Sequence, residues 1–363
     1  MARLQRGSKY KPCSGSLRLL QHEGRPMLVR IKSPGGLENF RVTTLGEVDA
    51  PGQGEITVRI HASSLNYHDY LVVTRPNGLA DGRIPLSDAS CTVEVVGPGV
   101  TEFKPGDQVV SCYFPEWQEG SDLPPSSYGS QKTPGDGVDG FARTRGNFPA
   151  NWFTHSPPGW THEEAATITT AGLTAWRALV VDGGLKAGDW VLALGTGGVS
   201  MFALQIAKAM GARVIATSSS DAKLEKLSAL GADHVLNYRS QPEWGMAVRA
   251  LTGGRGVDHV LEVGGPRTIE NSLLAARVGG HVAFIGFLGG PGTEVPMRHV
   301  LLRQIRLQGL LVGSRRHQTD FIAALEATRI RPVIDRTFAL AELAEAFQLQ
   351  AAGGHFGKIA ISI

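Results

Sequence analysis

The sequence predicts an α/β protein that combines a doubly wound parallel sheet with a smaller, β-rich domain. Residues 190–312 alternate apolar strand candidates with helix candidates, which is typical of a doubly wound sheet. Residues 27–110 instead contain short alternating segments separated by glycine and proline turns, as in a small irregular barrel. A chain of 363 residues is long enough for two such domains.

The composition excludes several classes of protein. Hydrophobic residues make up 42% of the chain and charged residues 19%, which indicates a globular protein. No apolar run approaches the roughly 20 residues of a membrane span, so we expect no membrane association. The net charge of +3, with basic residues interspersed among acids, does not favour nucleic acid. The cysteines Cys13, Cys91 and Cys112 form no CxxC pair, so we expect a reducing, cytoplasmic location.

Two segments lack a regular pattern. Residues 1–26 carry six basic residues against one acid, Glu23, and we expect a disordered extension or an over-long start, with an organelle transit peptide as the alternative. Residues 113–140 are rich in proline, glycine and serine and predict a long exposed loop.

The remaining elements follow from periodicity and capping residues. Thr161, followed by Glu163 and Glu164, predicts a helix start. A helix over 341–350 and a strand over 359–363 close the chain. The expected strands of the parallel sheet are 190–194, 213–217, 234–237, 257–263, 281–285 and 306–312. The helices between them are expected at 199–210, 221–230, 243–252 and 267–278.

A glycine-rich turn joins the first of these strands to its helix. Such a turn lets the backbone approach a pyrophosphate and places it at a helix N-terminus, as in dinucleotide-binding folds. Ser200 stands where a third glycine is usual, and an ordinary tight turn is the alternative interpretation. The expected cofactor-binding residues here are Gly195, Thr196, Gly197, Gly198 and Val199.

The end of the second strand favours NADP(H) over NAD(H). An acid at this position would bind the ribose hydroxyls and repel a 2′-phosphate, but residues 216–220 contain none. Ser218, Ser219, Lys223 and Tyr238 are candidate phosphate ligands. The alternative is that the serines only cap the next helix.

Further candidates follow the fourth and fifth strands. Gly264, Ile285 and Phe287 lie at the expected carboxyl edge of the sheet, where ribose and nicotinamide would pass, although plain turns explain them equally. Aromatic residues near the start of the 113–140 loop, among them Tyr113 and Trp117, are candidates for the wall of an acceptor pocket.

The ordered succession of motifs resembles the medium-chain dehydrogenase/reductase superfamily. More narrowly, it is similar to the zinc-independent, quinone-oxidoreductase-like branch that includes zeta-crystallin. The resemblance covers almost everything after Met27. The segments that carry it are 62–69 (ASSLNYHD), 96–100 (VGPGV), 104–107 (KPGD), 163–166 (EEAA), the turn in 191–200, 231–238 (GADHVLNY) and 356–358 (FGK).

The resemblance implies two domains and a dimer. Residues 27–160, completed by 322–363, would form a GroES-like catalytic domain, and 161–321 a Rossmann NADP-binding domain. The active site would lie in the cleft between them. A homodimer is also implied, with the strand near 306–312 as the candidate pairing edge.

The resemblance also predicts that the protein uses no zinc. Zinc alcohol dehydrogenases of the superfamily use Cys, Gly-His-Glu, and Cys or Asp as catalytic ligands. The matching positions here are Asn66, 87–89 (Ser-Asp-Ala) and Thr170, which offer neither thiolate nor imidazole. The four-cysteine structural lobe of those enzymes is also missing.

Without a Lewis acid, hydride transfer favours an acceptor that is already electrophilic. We therefore expect an NADPH-dependent reductase of quinones or α,β-unsaturated carbonyls. Tyr67 and Asn66 are candidate hydrogen-bond donors to the developing oxyanion. Thr170 and Thr174, four residues apart, would share a helix face beneath the nicotinamide. The alternatives are a metal-free, NADP-linked alcohol or aldehyde dehydrogenase, and an NADPH-binding protein whose catalysis is secondary.

Overall fold

The computed structural model describes residues 26–76, 79–130, 132–290, 292 and 294–363, without the side chains of 128–130. The predicted disordered extension, apart from Pro26, and Cys13 lie outside the described residues. Within the described part of the chain, no helix combines the length and apolar character that crossing a bilayer requires.

The first part of the chain is β-rich, as predicted. An antiparallel pair, β1 (Met27–Ile31) and β2 (Phe40–Thr44), precedes a larger sheet. The next strands are β3 (Glu55–Ser64), β4 (Ser90–Val96), β5 (Gln108–Ser111), β6 (Arg145–Pro149) and β7 (Phe153–His155). Ile56, Val58 and Ile60 of β3 are buried, as the alternation predicts, but Thr57 is buried as well, so that of residues 56–60 only Arg59 is exposed.

Two short helices flank the sheet. Helix α1 (Tyr67–Thr74) follows β3 directly, and the Asp69 carboxylate accepts a hydrogen bond from the backbone N–H of Asn66 at its start. Helix α2 (His162–Ala166) begins after Thr161, as predicted, and Thr161 and Glu164 form a reciprocal capping box. The chain then continues as α3 (Leu173–Trp176) between two π-helical turns, 168–172 and 177–181.

The second sheet contains the six parallel strands that the sequence predicts. They are β8 (Trp190–Ala193), β9 (Arg213–Ser218), β10 (His234–Asn237), β11 (Val257–Glu262), β12 (Ala276–Phe284) and β13 (Arg306–Gly309). Their order is β10-β9-β8-β11-β12-β13, the doubly wound order of dinucleotide-binding folds. The predicted fold class, a Rossmann sheet with a GroES-like β-rich domain, is therefore confirmed.

The helices of this half run between its strands. They are α4 (Gly198–Ala209), α5 (Asp221–Ala229), α6 (Trp244–Leu251), α7 (Ile269–Ala275) and α8 (Met297–Leu302). The expected helix 267–278 ends earlier, at Ala275, because the β-branched Val278 and the glycines after it favour the extended chain of β12. The strand expected over 306–312 also ends early, and Val312 has a positive φ of 40°.

The C-terminal segment returns to the first sheet. Helix α9 (Arg315–Thr328) leads to β14 (Ile334–Ala339), helix α10 (Leu343–Ala351) and β15 (Lys358–Ser362). The strands of the first sheet stand in the order β14-β15-β3-β4-β5-β7, and β6 pairs with β3. The last strand thus lies next to β3, almost 300 residues earlier in the chain, which places β15 close to both halves of the molecule.

The prediction of an exposed loop over 113–140 is wrong for its first residues. Tyr113, Phe114 and Trp117 are at most 5% exposed and belong to the same apolar cluster as helix α4. Aromatic side chains pack there because burying their large apolar surface outweighs the loop-like composition around them.

Candidate active site

The turn between β8 and α4 has the geometry of a phosphate-binding loop. Gly195 adopts a positive φ of 74°, which glycine tolerates without strain, and Gly197 precedes the first helical residue, Gly198. The free N–H groups of the first turn of α4 therefore face the carboxyl edge of the sheet. Ser200 is buried, and its hydroxyl donates to the Leu194 carbonyl at 2.6 Å. The serine in the third glycine position thus ties the helix to its strand.

This turn is also joined to the C-terminal strand. The Gly357 N–H donates to the Thr196 carbonyl at 2.8 Å. A Cβ on Gly198 would lie 2.4 Å from Cδ of Lys358 and 3.1 Å from Cβ of Ala171, so only glycine fits there. Of the other predicted cofactor residues, Val199 is half-buried beside the turn, and Thr174 is buried in α3.

The end of the second strand brings together two of the predicted phosphate ligands. Ser218 closes β9, and its carbonyl accepts a hydrogen bond from the Tyr238 N–H at 3.1 Å. Ser219 is partly buried next to it. The nearest acid, Asp221, accepts a hydrogen bond from Nδ2 of Asn237 at 2.7 Å. Residues 216–220 include no carboxylate. A 2′-phosphate bound at this position would therefore meet no repelling charge from these residues.

Lys223 lies on α5 and contacts the chain before β15. Its Nζ donates to the carbonyls of Gly353 and His355 at 2.9 and 2.8 Å. Burial lowers the pKa of Lys223, and the charge of Asp335 opposes this shift. The amine is thus held by neutral acceptors, which a more strongly charged ligand could replace.

The turn after β11 is organised by Glu262, which is not among the residues predicted for the site. Its buried carboxylate accepts hydrogen bonds from the N–H groups of Gly264 and Gly265 at 2.7 and 2.8 Å, and from the Thr268 hydroxyl at 2.6 Å. Burial raises the pKa of Glu262, and these hydrogen bonds oppose the shift. The sequence does carry a signal for this role, because Glu262 is an acid at the end of an apolar strand, directly before the Val-Gly-Gly turn.

A buried polar cluster lies at the junction of β3, α1 and β15. The Asp88 carboxylate accepts hydrogen bonds from Ser64 Oγ at 2.6 Å and Asn66 Nδ2 at 2.8 Å on one oxygen, and from Thr170 Oγ1 at 2.6 Å on the other. Nζ of Lys358 lies 3.7 Å from the Asp88 carboxylate. We call Ser64, Asn66, Asp88, Thr170 and Lys358 the Asp88 cluster.

Lys358 is the cation of the Asp88 cluster and was not among the predicted site residues. Only 3% of it is exposed, and its Nζ donates to Asn66 Oδ1 at 2.6 Å and to the Leu65 carbonyl at 2.7 Å. Burial lowers the pKa of Lys358, while the charges of Asp88 and Asp69 oppose this shift. Burial and the nearby Asp88 also raise the pKa of Asp69.

The three predicted catalytic residues differ in whether their hydrogen-bond donors are already used within the protein. The two amide hydrogens of Asn66 are directed at Asp88 and, at 3.4 Å, at the Ser64 carbonyl. The hydroxyl hydrogen of Thr170 is donated to Asp88. Tyr67, at the first position of α1, is 36% exposed, and its ring contacts the ring of Tyr70 at 5.9 Å. Tyr67 therefore presents the most accessible phenol of this region.

A cavity of about 370 Å³ lies at the carboxyl ends of β12 and β13. The predicted cofactor residues Ile285 and Phe287 line it, together with Trp117. A larger, open depression of about 570 Å³ at residues 241–247 contains none of the predicted site residues. The smaller cavity is thus the one that adjoins the predicted nicotinamide position.

A doubly wound sheet with a glycine-rich phosphate loop, joined to a GroES-like domain, defines an NAD(P)-dependent oxidoreductase. Comparison with known proteins agrees with this class. Residues 52–158 match the alcohol dehydrogenase GroES-like domain, and residues 198–328 match the zinc-binding dehydrogenase domain. The chain belongs to the medium-chain dehydrogenase/reductase superfamily.

Individual relatives are similar over most of the chain. The zinc-type alcohol dehydrogenase-like protein C1773.06c of Schizosaccharomyces pombe is 38% identical over 85% of this chain and 91% of its own. A solved structure from Sinorhizobium meliloti 1021, assigned as an alcohol dehydrogenase, is 39% identical with a TM-score of 0.85 over 93% of this chain and 99% of its own. A solved NAD-dependent alcohol dehydrogenase is 33% identical with a TM-score of 0.82 over the same shares of the two chains.

The family name implies zinc, but the Asp88 cluster does not suit this metal. Zinc sites in proteins use thiolates, imidazoles and carboxylates, whereas Asp88 here is surrounded by an amide, two hydroxyls and an ammonium group. Both Asp88 oxygens already accept hydrogen bonds. Among the described residues, no group of three or more His, Cys, Asp or Glu side chains is arranged so that it could hold a metal ion.

Proposed function

We propose that the protein is a zinc-independent, NADPH-dependent reductase that transfers hydride to a quinone or an α,β-unsaturated carbonyl. The observation that carries this proposal is the Asp88 cluster, in which the ammonium group of Lys358 neutralises the buried carboxylate. Without a Lewis acid to polarise a simple carbonyl, the acceptor itself must be electrophilic.

Bound NADPH supplies the hydride in this proposal. The α4 N-terminus would hold the diphosphate, and Ser218, Tyr238 and Lys223 the 2′-phosphate. The Tyr67 hydroxyl would donate a hydrogen bond to the acceptor oxygen as negative charge develops there. Asn66 and Thr170 both donate hydrogen bonds to Asp88 and would act as positioning residues. Asn66 would fix the start of α1, and Thr170 would fix the helical turn 168–172 against Asp88.

A second candidate is a metal-free, NADP-linked alcohol or aldehyde dehydrogenase. The names of the similar proteins favour it, because two of them are named as an alcohol dehydrogenase or as alcohol dehydrogenase-like. A homodimer paired through β13, the edge strand of its sheet, also stays a prediction, as does a cytoplasmic location.

The function is tested by oxidation of NADPH with a panel of quinones, enones, enoyl thioesters and aldehydes, and by reduction of NADP+ with simple alcohols. We expect turnover of quinones or enones, unchanged after dialysis against a chelator, and no stoichiometric zinc on elemental analysis. Chelator-sensitive turnover of simple alcohols would contradict the proposal. Chelator-resistant oxidation of alcohols with NADP would instead favour the second candidate.

Lys223→Ala is expected to weaken NADPH binding about tenfold, or about 1.4 kcal/mol, because a cation near the 2′-phosphate is lost. NADH affinity should stay the same, and calorimetric titration with both cofactors measures the difference. Lys226→Ala is a matched control, since Lys226 lies on the same helix with its Nζ 5.3 Å from the centre of the Phe356 ring. Equal losses for NADPH and NADH would show that Lys223 acts only by binding the 353–355 carbonyls.

A further inference from the structure

The helix that carries Thr170 leads from the Asp88 cluster to the 370 Å³ cavity. Thr170 lies in the first π-helical turn, Thr174 in α3 and Arg177 at the start of the second π-helical turn. Thr170 contacts Asp88, and Arg177 lines the cavity. Seven positions of continuous helical chain separate the two residues.

The cavity is apolar apart from Arg177. Its walls include Trp117, Phe284, Ile285, Phe287, Leu310 and Leu311. Arg177 is 8% exposed. Of the described residues that line the cavity, it alone is charged. A mostly apolar pocket with one well-placed polar group is the usual form of a small-molecule site, in which the polar group fixes orientation.

The guanidinium of Arg177 has three contacts that fix its position, but not all of its N–H donors have an acceptor. Its Cζ lies over the Trp117 ring, 4.8 Å from the ring centre. Nε lies 3.1 Å from the Asp182 carboxylate, and Nη1 donates to the Leu311 carbonyl at 3.1 Å. A guanidinium has five N–H donors, and no described residue accepts a hydrogen bond from Nη2. Both N–H groups of Nη2 and the second N–H of Nη1 thus have no acceptor among the described residues and can bind oxygen atoms of a ligand.

The charges around this edge leave room for an anion. Asp182 is paired with Arg177, and its backbone carbonyl accepts a hydrogen bond from Arg306. Asp320 is paired with Arg316. Burial and the charge of Arg177 lower the pKa of His317, whose ring contacts Trp117. The described residues that line the cavity include no carboxylate.

We propose that Arg177 binds a carboxylate carried at the far end of the acceptor, so that the preferred substrates are elongated, apolar enones or quinones with a terminal acid group. The inference rests on the proposed reductase function and adds a substrate class to it. A planar carboxylate matches two N–H groups of a guanidinium, which gives the interaction a defined direction.

The test compares three acceptors of the same core: 4-phenyl-3-buten-2-one, its para-carboxylate and the methyl ester of that acid. In the wild-type protein we expect kcat/KM for the acid to exceed that for the ester about tenfold, chiefly through KM. Arg177→Met should lower this ratio to about one. Arg177→Lys, which keeps the charge but loses the planar fork, should give an intermediate ratio.

Arg143→Met is the matched control, because Arg143 also stacks on an aromatic ring, that of Phe148 at 4.6 Å, but lies outside the cavity. It should keep the wild-type ratio. A wild-type ratio of one or less overturns the inference, even if the Arg177 variants do not fold. Turnover of the neutral enone in that case would leave the reductase function standing, whereas inactivity with all acceptors would remove the function itself.

Discussion

Replacing Lys358 with methionine is expected to lower the free energy of unfolding by about 3–5 kcal/mol. The variant leaves the Asp88 carboxylate buried without a cation, and it also leaves Asn66 Oδ1 and the Leu65 carbonyl without their donor. Methionine has a similar shape, so little of the loss would come from a cavity. Urea unfolding followed by far-UV circular dichroism measures the change.

The double variant Asp88→Asn, Lys358→Met separates charge from packing. Removing the carboxylate as well should restore at least about 1 kcal/mol of the loss, because no unpaired charge remains buried. If the single variant lost less than about 1 kcal/mol, or the double variant were no more stable than the single one, Lys358 would not be the counter-ion of Asp88.

Tyr67→Phe is expected to lower kcat about 100-fold, because one donor to the developing oxyanion is lost. The affinity for NADPH should not change, since the phenol lies at the start of α1 and not at the phosphate loop. Steady-state kinetics with the best acceptor of the panel, together with NADPH titration, measures both quantities.

Tyr70→Phe is the control for this variant, because Tyr70 lies on the same helix and packs on Tyr67 and Phe347. It should keep kcat within a few-fold of the wild type. An unchanged kcat in Tyr67→Phe, or equal losses in the two variants, would remove Tyr67 from the proposed chemistry.

Much of the fold could be predicted because it rests on local signals. The six strands of the parallel sheet were found from apolar runs between helical segments, and the start of α2 from Thr161 and the two acids after it. The errors arose where local composition and long-range packing disagree. Tyr113 and Trp117 stand in a proline- and glycine-rich segment but are buried against the helices of the other half.

The site could be predicted only in part, for a similar reason. Glycine spacing reveals the phosphate loop, because the chain must turn sharply within a few residues. Lys358, in contrast, meets Asp88 only through the pairing of β15 with β3. Arg177 reads in the sequence as one more charged helical residue, and the stacked Trp117 ring that fixes it comes from a distant loop. Neither residue carries a local pattern that marks its role.

The hydrogen bond from Gly357 to Thr196 joins the C-terminal segment of the chain to the phosphate loop of the other sheet. Gly357 and Lys358, which lie at the start of the last strand of the first sheet, contact Thr196 and Gly198 of the phosphate loop. The nucleotide site therefore cannot be obtained by expressing the second sheet and its helices alone. Removal of residues 334–363 would take both β14 and β15 from one sheet and, in the same step, the Gly357 N–H that holds the coenzyme loop of the other.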